Sequence, residues 1–241
     1  MKYNFQKSIL AISLLMTSVI FLQSCKPKGT SSAAGGDAAK AYVAPGKYDE
    51  FYNFVSGGFS GQMSVYGLPS GRLFRVIPVF SVDPEKGWGY TEETKPMLNT
   101  SHGFVPWDDL HHIALSITGS EHDGRWAFGN ANNTPRIARI DLKTFRTAEI
   151  IEIPNSAGNH SSPFITENSE YVVAGTRFSI PIGDKLDVPI NSYKENFKGT
   201  VSFIGVDKTT GETHVRHRAH VSEGKLYYKG KLVAEKAPLK A

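Results

Sequence analysis

Residues 112–118 read HIALSIT and residues 160–166 read HSSPFIT, two stretches that each open on a histidine and close on Ile-Thr. A second apolar run follows each of them, Trp126-Ala-Phe-Gly129 after the first and Tyr171-Val-Val-Ala174 after the second. Next come two pairs of short runs about a turn. Arg136–Leu142 and Thr147–Ile153 flank Lys143-Thr144, while Val201–Val206 and Glu212–Arg216 flank Lys208-Thr-Thr-Gly211. Short runs rich in β-branched and aromatic residues, bounded by turn residues, are strands. One unit therefore starts near His112 and the next near His160, a spacing of about one β-propeller blade.

Upstream, Met63-Ser-Val-Tyr66 and Arg72–Phe80 form a third hairpin around Leu68-Pro69-Ser70-Gly71. Only Tyr48–Val55 carries a helical period. The expected fold is all-β, with two recognisable blades and part of a third. A blade cannot bury both faces alone, so blades stack, and an open arc leaves a sheet face and edge uncovered. A β-sandwich is the alternative.

The chain begins with Lys2 and Lys7, then runs apolar from Ile9 to Leu22, too short for a membrane span. Leu22-Gln23-Ser24-Cys25 follows, so residues 1–24 read as a signal peptide and Cys25 as a lipidation site. An ordinary Sec signal with an incidental cysteine is the alternative. No Arg-Arg pair precedes the apolar run, which argues against twin-arginine export. Residues 25–44, rich in Gly, Ser, Ala and Lys, read as a flexible tether, and the expected location is the periplasm, anchored to the membrane by lipid. Cys25 is the only cysteine, so the chain has no internal disulfide and no thiolate metal site. The formal charge of +4 falls to +2 without Lys2 and Lys7, which gives no argument for a nucleic-acid partner.

Trp107-Asp108-Asp109-Leu110-His111-His112 is the sharpest local feature. First strands of propeller blades line a central channel, so His112 and His160 can face one spot. Converging neutral imidazoles suit copper, zinc, iron or nickel, and Asp109 can accept a second ring N–H and fix the tautomer. Surface histidines with no ligand are the plain alternative. His214, His217 and His220 form a weaker candidate patch on a basic segment, and Ser161 and Ser162 beside His160 lack a nucleophile-elbow motif.

Residues 108–142, DDLHHIALSITGSEHDGRWAFGNANNTPRIARIDL, together with AGNH and RFSIP within 157–181, are similar to nitrous-oxide reductases. The likeness is colinear from about Tyr48 to about Glu212. It joins the double histidine, the following strands and the next single histidine in order, and the missing Arg pair matches the Sec-exported branch.

The resemblance implies a seven-bladed propeller followed by a cupredoxin domain, with residues 45–212 as the first blades. It implies a four-copper, sulfide-bridged cluster held by seven histidines, of which His111, His112 and His160 match three, and Asp109 as an acid beside the cluster. It implies reduction of N₂O to N₂ and water, structural calcium whose ligands lie later in the chain, an electron donor such as a c-type cytochrome, and a homodimer. The other four ligand histidines and the dicopper electron-entry centre have no counterpart, so the chain as written is expected to be incomplete and inactive by itself. Residues 213–241 diverge and carry no functional reading. A non-catalytic exported lipoprotein with a β-rich binding domain is the competing expectation.

Overall fold

The computed structural model describes residues 36–181, 188–222, 225–229 and 231–235. The expected signal peptide and Cys25 lie outside the described residues. The chain divides into two compact units, Met1–Lys47 and Tyr48–Ala241. The described part of the first holds one helical turn, Asp37–Lys40, closed by an exposed Lys40–Asp37 ion pair of 2.7 Å.

The second unit is all-β and antiparallel, in successive sheets. The first sheet has strands β1 (Phe51–Ser56), β2 (Gln62–Leu68) and β3 (Leu73–Pro78), in that order. A two-residue pair, β4 (Asn99–Thr100) and β5 (Gly103–Phe104), leads to the second sheet. That sheet is a four-stranded meander of β6 (Leu110–Thr118), β7 (Glu121–Ala131), β8 (Arg136–Asp141) and β9 (Arg146–Glu152). The third contains β10 (Asn159–Ile165), β11 (Tyr171–Thr176), β12 (Ile180–Pro181) and β13 (Phe197–Val206). It continues through β14 (Thr213–Ser222), β15 (Lys225–Tyr228) and β16 (Lys231–Glu235).

The three hairpins expected from the turn residues form as β2–β3, β8–β9 and β13–β14. The paired histidine stretches become β6 and β10, each the first strand of its sheet. The helical period at Tyr48–Val55 is corrected: Phe51–Ser56 is a strand, in register with β2 from Phe51 opposite Leu68 to Ser56 opposite Met63. Its Phe, Tyr and Val side chains suit a pleated surface, and non-local pairing outweighs a short periodic signal.

The second sheet is covered on both faces because its side chains alternate. Ala127 and Ala131 of β7, with Ala138 and Ile140 of β8, join Met63, Val65, Ile77, Val79 and Phe80 in one core. Trp126, Phe128 and Ile137 point the other way and join Val172, Ala174, Ile204 and Val206 in a second core. A strand buried on both faces loses the apolar–polar alternation of a half-exposed one, as the buried run Arg136–Ile140 shows. The β13–β14 turn closes on this stack at Gly211, whose φ is +78° and where a Cβ would lie 2.6 Å from the Trp126 ring.

Candidate metal centre

Local chain geometry brings His111, His112 and His160 together. Between Leu110, opposite Ala131, and Ile113, opposite Gly129, β6 holds one residue more than β7. Between Asn159, opposite Thr176, and Ser161, opposite Gly175, β10 likewise holds one residue more than β11. Such bulges break the two-residue alternation and re-aim side chains, and here they fall on the three histidines. Gly158 brings the start of β10 against the second sheet, since a Cβ there would lie 2.2 Å from the Asn132 carbonyl oxygen.

The ring centres of His111 lie 4.3 Å from those of both His112 and His160, and the His112–His160 separation is 6.0 Å. One nitrogen from each ring can be chosen so that all three fall within 4.8 Å of one another. His111 is half-buried, and His112 and His160 are exposed. Partial desolvation first, then the neighbouring His111 and His160, hold His112 below the usual imidazole range, against the pull of Asp109. A neutral ring offers its lone pair to a metal.

The adjacent aspartates divide their work. Asp109 is almost wholly buried, and its Oδ2 lies 3.4 Å from His111 Nδ1 and accepts a 2.9 Å hydrogen bond from Asn132 Nδ2. Its Oδ1 has no hydrogen-bond partner among the described residues. Asp108 turns inward and accepts from the backbone and side chains of Asn133 and Thr134 and from Arg136. That network anchors the start of β6. Asn130 and Asn132, just past the apolar run Trp126–Gly129, carry structural contacts to this site that the sequence did not disclose.

Of the other candidates, His214 is exposed on β14. The side chains of His217, His220, Ser161 and Ser162 lie outside the described residues. Three clustered imidazoles fit a nitrogen-ligated transition metal such as copper. No calcium site is assignable from the described residues.

These features define an all-β protein with a three-histidine cluster at metal-ligand spacing. The particular relatives are nitrous-oxide reductases. That of Pseudomonas fluorescens is 38% identical over 152 residues, covering 63% of this chain and 24% of its own length. That of Cupriavidus necator is 35% identical over 180 residues, covering 70% and 28%. The chain is a relative of nitrous-oxide reductases over this region, as residues 108–142 suggest, and it spans less than a third of their length. Over 44 residues, 18% of its length, the chain is also similar to large ribosomal subunit protein bL32. It is 43% identical to the Flavobacterium johnsoniae protein and covers 69% of it. A Kuenenia stuttgartiensis hydrazine synthase, 14% identical, covers 73% of this chain and 52% of its own at a TM-score of 0.37, too low to argue from. No family model matches the chain.

Proposed function

We propose that residues 45–212 are the first blades of a propeller that holds copper at His111, His112 and His160, as part of a site for reducing N₂O to N₂ and water. The observation that carries this reading is the convergence of three imidazoles from two neighbouring sheets, both bulged at the histidines, in a chain related to nitrous-oxide reductases. The stacked second and third sheets, each opening on a histidine strand, support the blade reading.

Copper, when bound, supplies the electron-rich metal that inert N₂O needs. The imidazoles hold it without adding charge, and Asp109 orients the His111 ring and offers an acceptor for protons near the site. The electron donor, homodimer, signal peptide 1–24, lipid on Cys25 and periplasmic location complete the proposal. We read the three imidazoles as part of a larger ligand set.

Anaerobic titration of the full chain with copper(I), against a chromophoric chelator, tests the metal reading. The expected result is saturable binding that needs all three histidines. Copper-free protein at saturating copper(I) returns the reading to the competing one, a β-rich lipoprotein module with relict histidines.

The bL32 likeness favours a second reading for the far end of the chain. We assign that 44-residue segment to the end of the chain, where it reaches back into β13 and overlaps the reductase likeness, which stops near Glu212. The charge there turns basic through Arg216, Arg218, Lys225, Lys229, Lys231, Lys236 and Lys240, against Glu223 and Glu235. The chain is then a composite whose β14–β16 meander extends the third sheet and whose tail has affinity for the large ribosomal subunit, a reading that competes with the periplasmic location. This departs from the expectation of no nucleic-acid partner, which rested on whole-chain charge. Sedimentation with ribosomes decides it: salt-sensitive cosedimentation, lost on truncation after Glu212, is expected. Free protein at low salt removes this reading and leaves the copper one intact.

A further inference from the structure

We infer that Asn130 is a positioning residue that sets the distance between the His111–His112 pair and His160. This rests on the metal reading of the triad given above. Asn130 lies near the end of β7, on neither of the histidine strands, and is fully buried. Its Oδ1 accepts a 2.8 Å hydrogen bond from the backbone N–H of His112. Its Nδ2 donates to the backbone carbonyl of Asn159, the residue before His160. One planar amide therefore ties β6 to β10 at the positions that present the ligands.

The bulges explain why this bridge is needed. At His112 the extra residue disrupts the regular β6–β7 ladder, and at His160 the extra residue disrupts the β10–β11 ladder. A buried backbone N–H or C=O without a partner is costly, and Asn130 supplies the missing acceptor at one strand and the missing donor at the other. The two backbone groups also dictate which end of the amide is oxygen. The asparagine amide combines a donor and an acceptor in one rigid plane on a short side chain. Aspartate keeps the acceptor toward His112 but sets a second acceptor against the Asn159 carbonyl. Alanine removes both ends.

Asn132, two residues further on, makes a parallel link. Its Nδ2 reaches Asp109 at 2.9 Å, and its Oδ1 accepts from Arg177 at 3.1 Å. The GNANNT stretch, residues 129–134, thus acts as a strap behind the three imidazoles: Asn130 spaces the histidines, Asn132 holds the acid beside His111, and Asn133 with Thr134 fixes Asp108.

The test uses the full chain and copper(I) alone. Wild type, Asn130→Asp, Asn130→Ala and Ser116→Ala are compared for copper affinity by chelator competition and for metal-free melting temperature. Ser116 is a fully buried hydrogen-bonding residue at the far end of β6, bonded to Asp123 and the Trp126 N–H, and serves as a matched structural lesion. Both Asn130 variants are expected to lose ten- to a hundredfold in affinity, the range typical of residues that orient metal ligands. Ser116→Ala is expected to melt lower with unchanged affinity. Exchange protection of the His112 amide, read by NMR in metal-free protein, is expected to vanish in Asn130→Ala and persist in Asn130→Asp. Affinity within about threefold of wild type in both Asn130 variants, or a His112 amide still protected in Asn130→Ala, overturns this inference alone. Absence of copper binding by wild type overturns the metal reading and this inference with it.

Discussion

Replacing Asp108 with alanine is expected to destabilise the protein by about 3–5 kcal/mol, because it strands a buried cation. Arg136 is fully buried, and burial already pushes its guanidinium below its ordinary range, with Asp108 as the opposing influence. The ion pair itself is long, at 3.4 Å. What holds the pair is the surrounding network. Thr134 and Asn133 donate to Asp108 through backbone and side chain, Arg136 Nε donates to Thr134 Oγ1 at 2.7 Å, and the guanidinium lies 5.2 Å from the Phe80 ring centre. Removing the carboxylate frees five neutral donors, the Asp109 backbone N–H among them, and leaves the positive charge without its counterion. Arg136→Met is expected to cost less, since Asp108 keeps its neutral donors. The double variant is expected to fall short of the sum, as residues in one network do. Urea unfolding of the copper-free chain measures all three. A loss under about 1 kcal/mol for Asp108→Ala would show that water reaches the guanidinium and that the network does not anchor β6.

His160→Ala is expected to abolish stabilisation by copper while leaving the metal-free protein almost unchanged. A ligand at a hundred times its Kd adds about 2.7 kcal/mol to folding, and each kcal/mol moves the midpoint of a chain this size by about 2–4 °C. Copper(I) is therefore expected to raise the wild-type midpoint by about 5–11 °C. His160 is exposed, so its removal alone shifts stability by about 0.5 kcal/mol or less. The variant keeps only the adjacent pair, whose rings are edge-to-face at 70°, and the copper-induced rise is expected to fall below about 2 °C. Differential scanning fluorimetry under anaerobic conditions reads both numbers. A full rise in His160→Ala would place the metal elsewhere.

The strand order was legible wherever turn chemistry was explicit. Leu68-Pro69-Ser70-Gly71, Lys143-Thr144 and Thr209-Thr-Gly211 each sit between paired strands. The kinship of HIALSIT and HSSPFIT was also legible, and these are the first strands of consecutive sheets. The site was half legible. A double histidine and a matching single histidine stand out by residue type, whereas the bulges that aim them depend on the register of pairing with strands elsewhere in the chain. Asn130 and Asn132 lie beyond the apolar run that marks the strand and went unread, because an apolar pattern locates a strand and not the partners of its polar residues. Asp108 and Asp109 look alike in sequence, and only the turn at Asn133–Thr134 separates the anchor from the acid beside His111. The basic end stayed without a reading because its residues continue no motif of the part similar to nitrous-oxide reductases.

The bulges at the histidines give the centre an unusual genetic vulnerability. Each is one surplus residue, and each strand carries a second irregularity further along, between Leu115 and Ile117 in β6 and between Ser161 and Phe164 in β10. An in-frame loss of a single codon restores the local pairing at either place: in β6 it re-aims the remaining imidazole, and in β10, where the surplus residue is His160 itself, it removes the ligand outright. Lineages that abandon the chemistry can therefore keep the scaffold intact, and their signature is a missing triplet at His112 or His160 rather than a changed one.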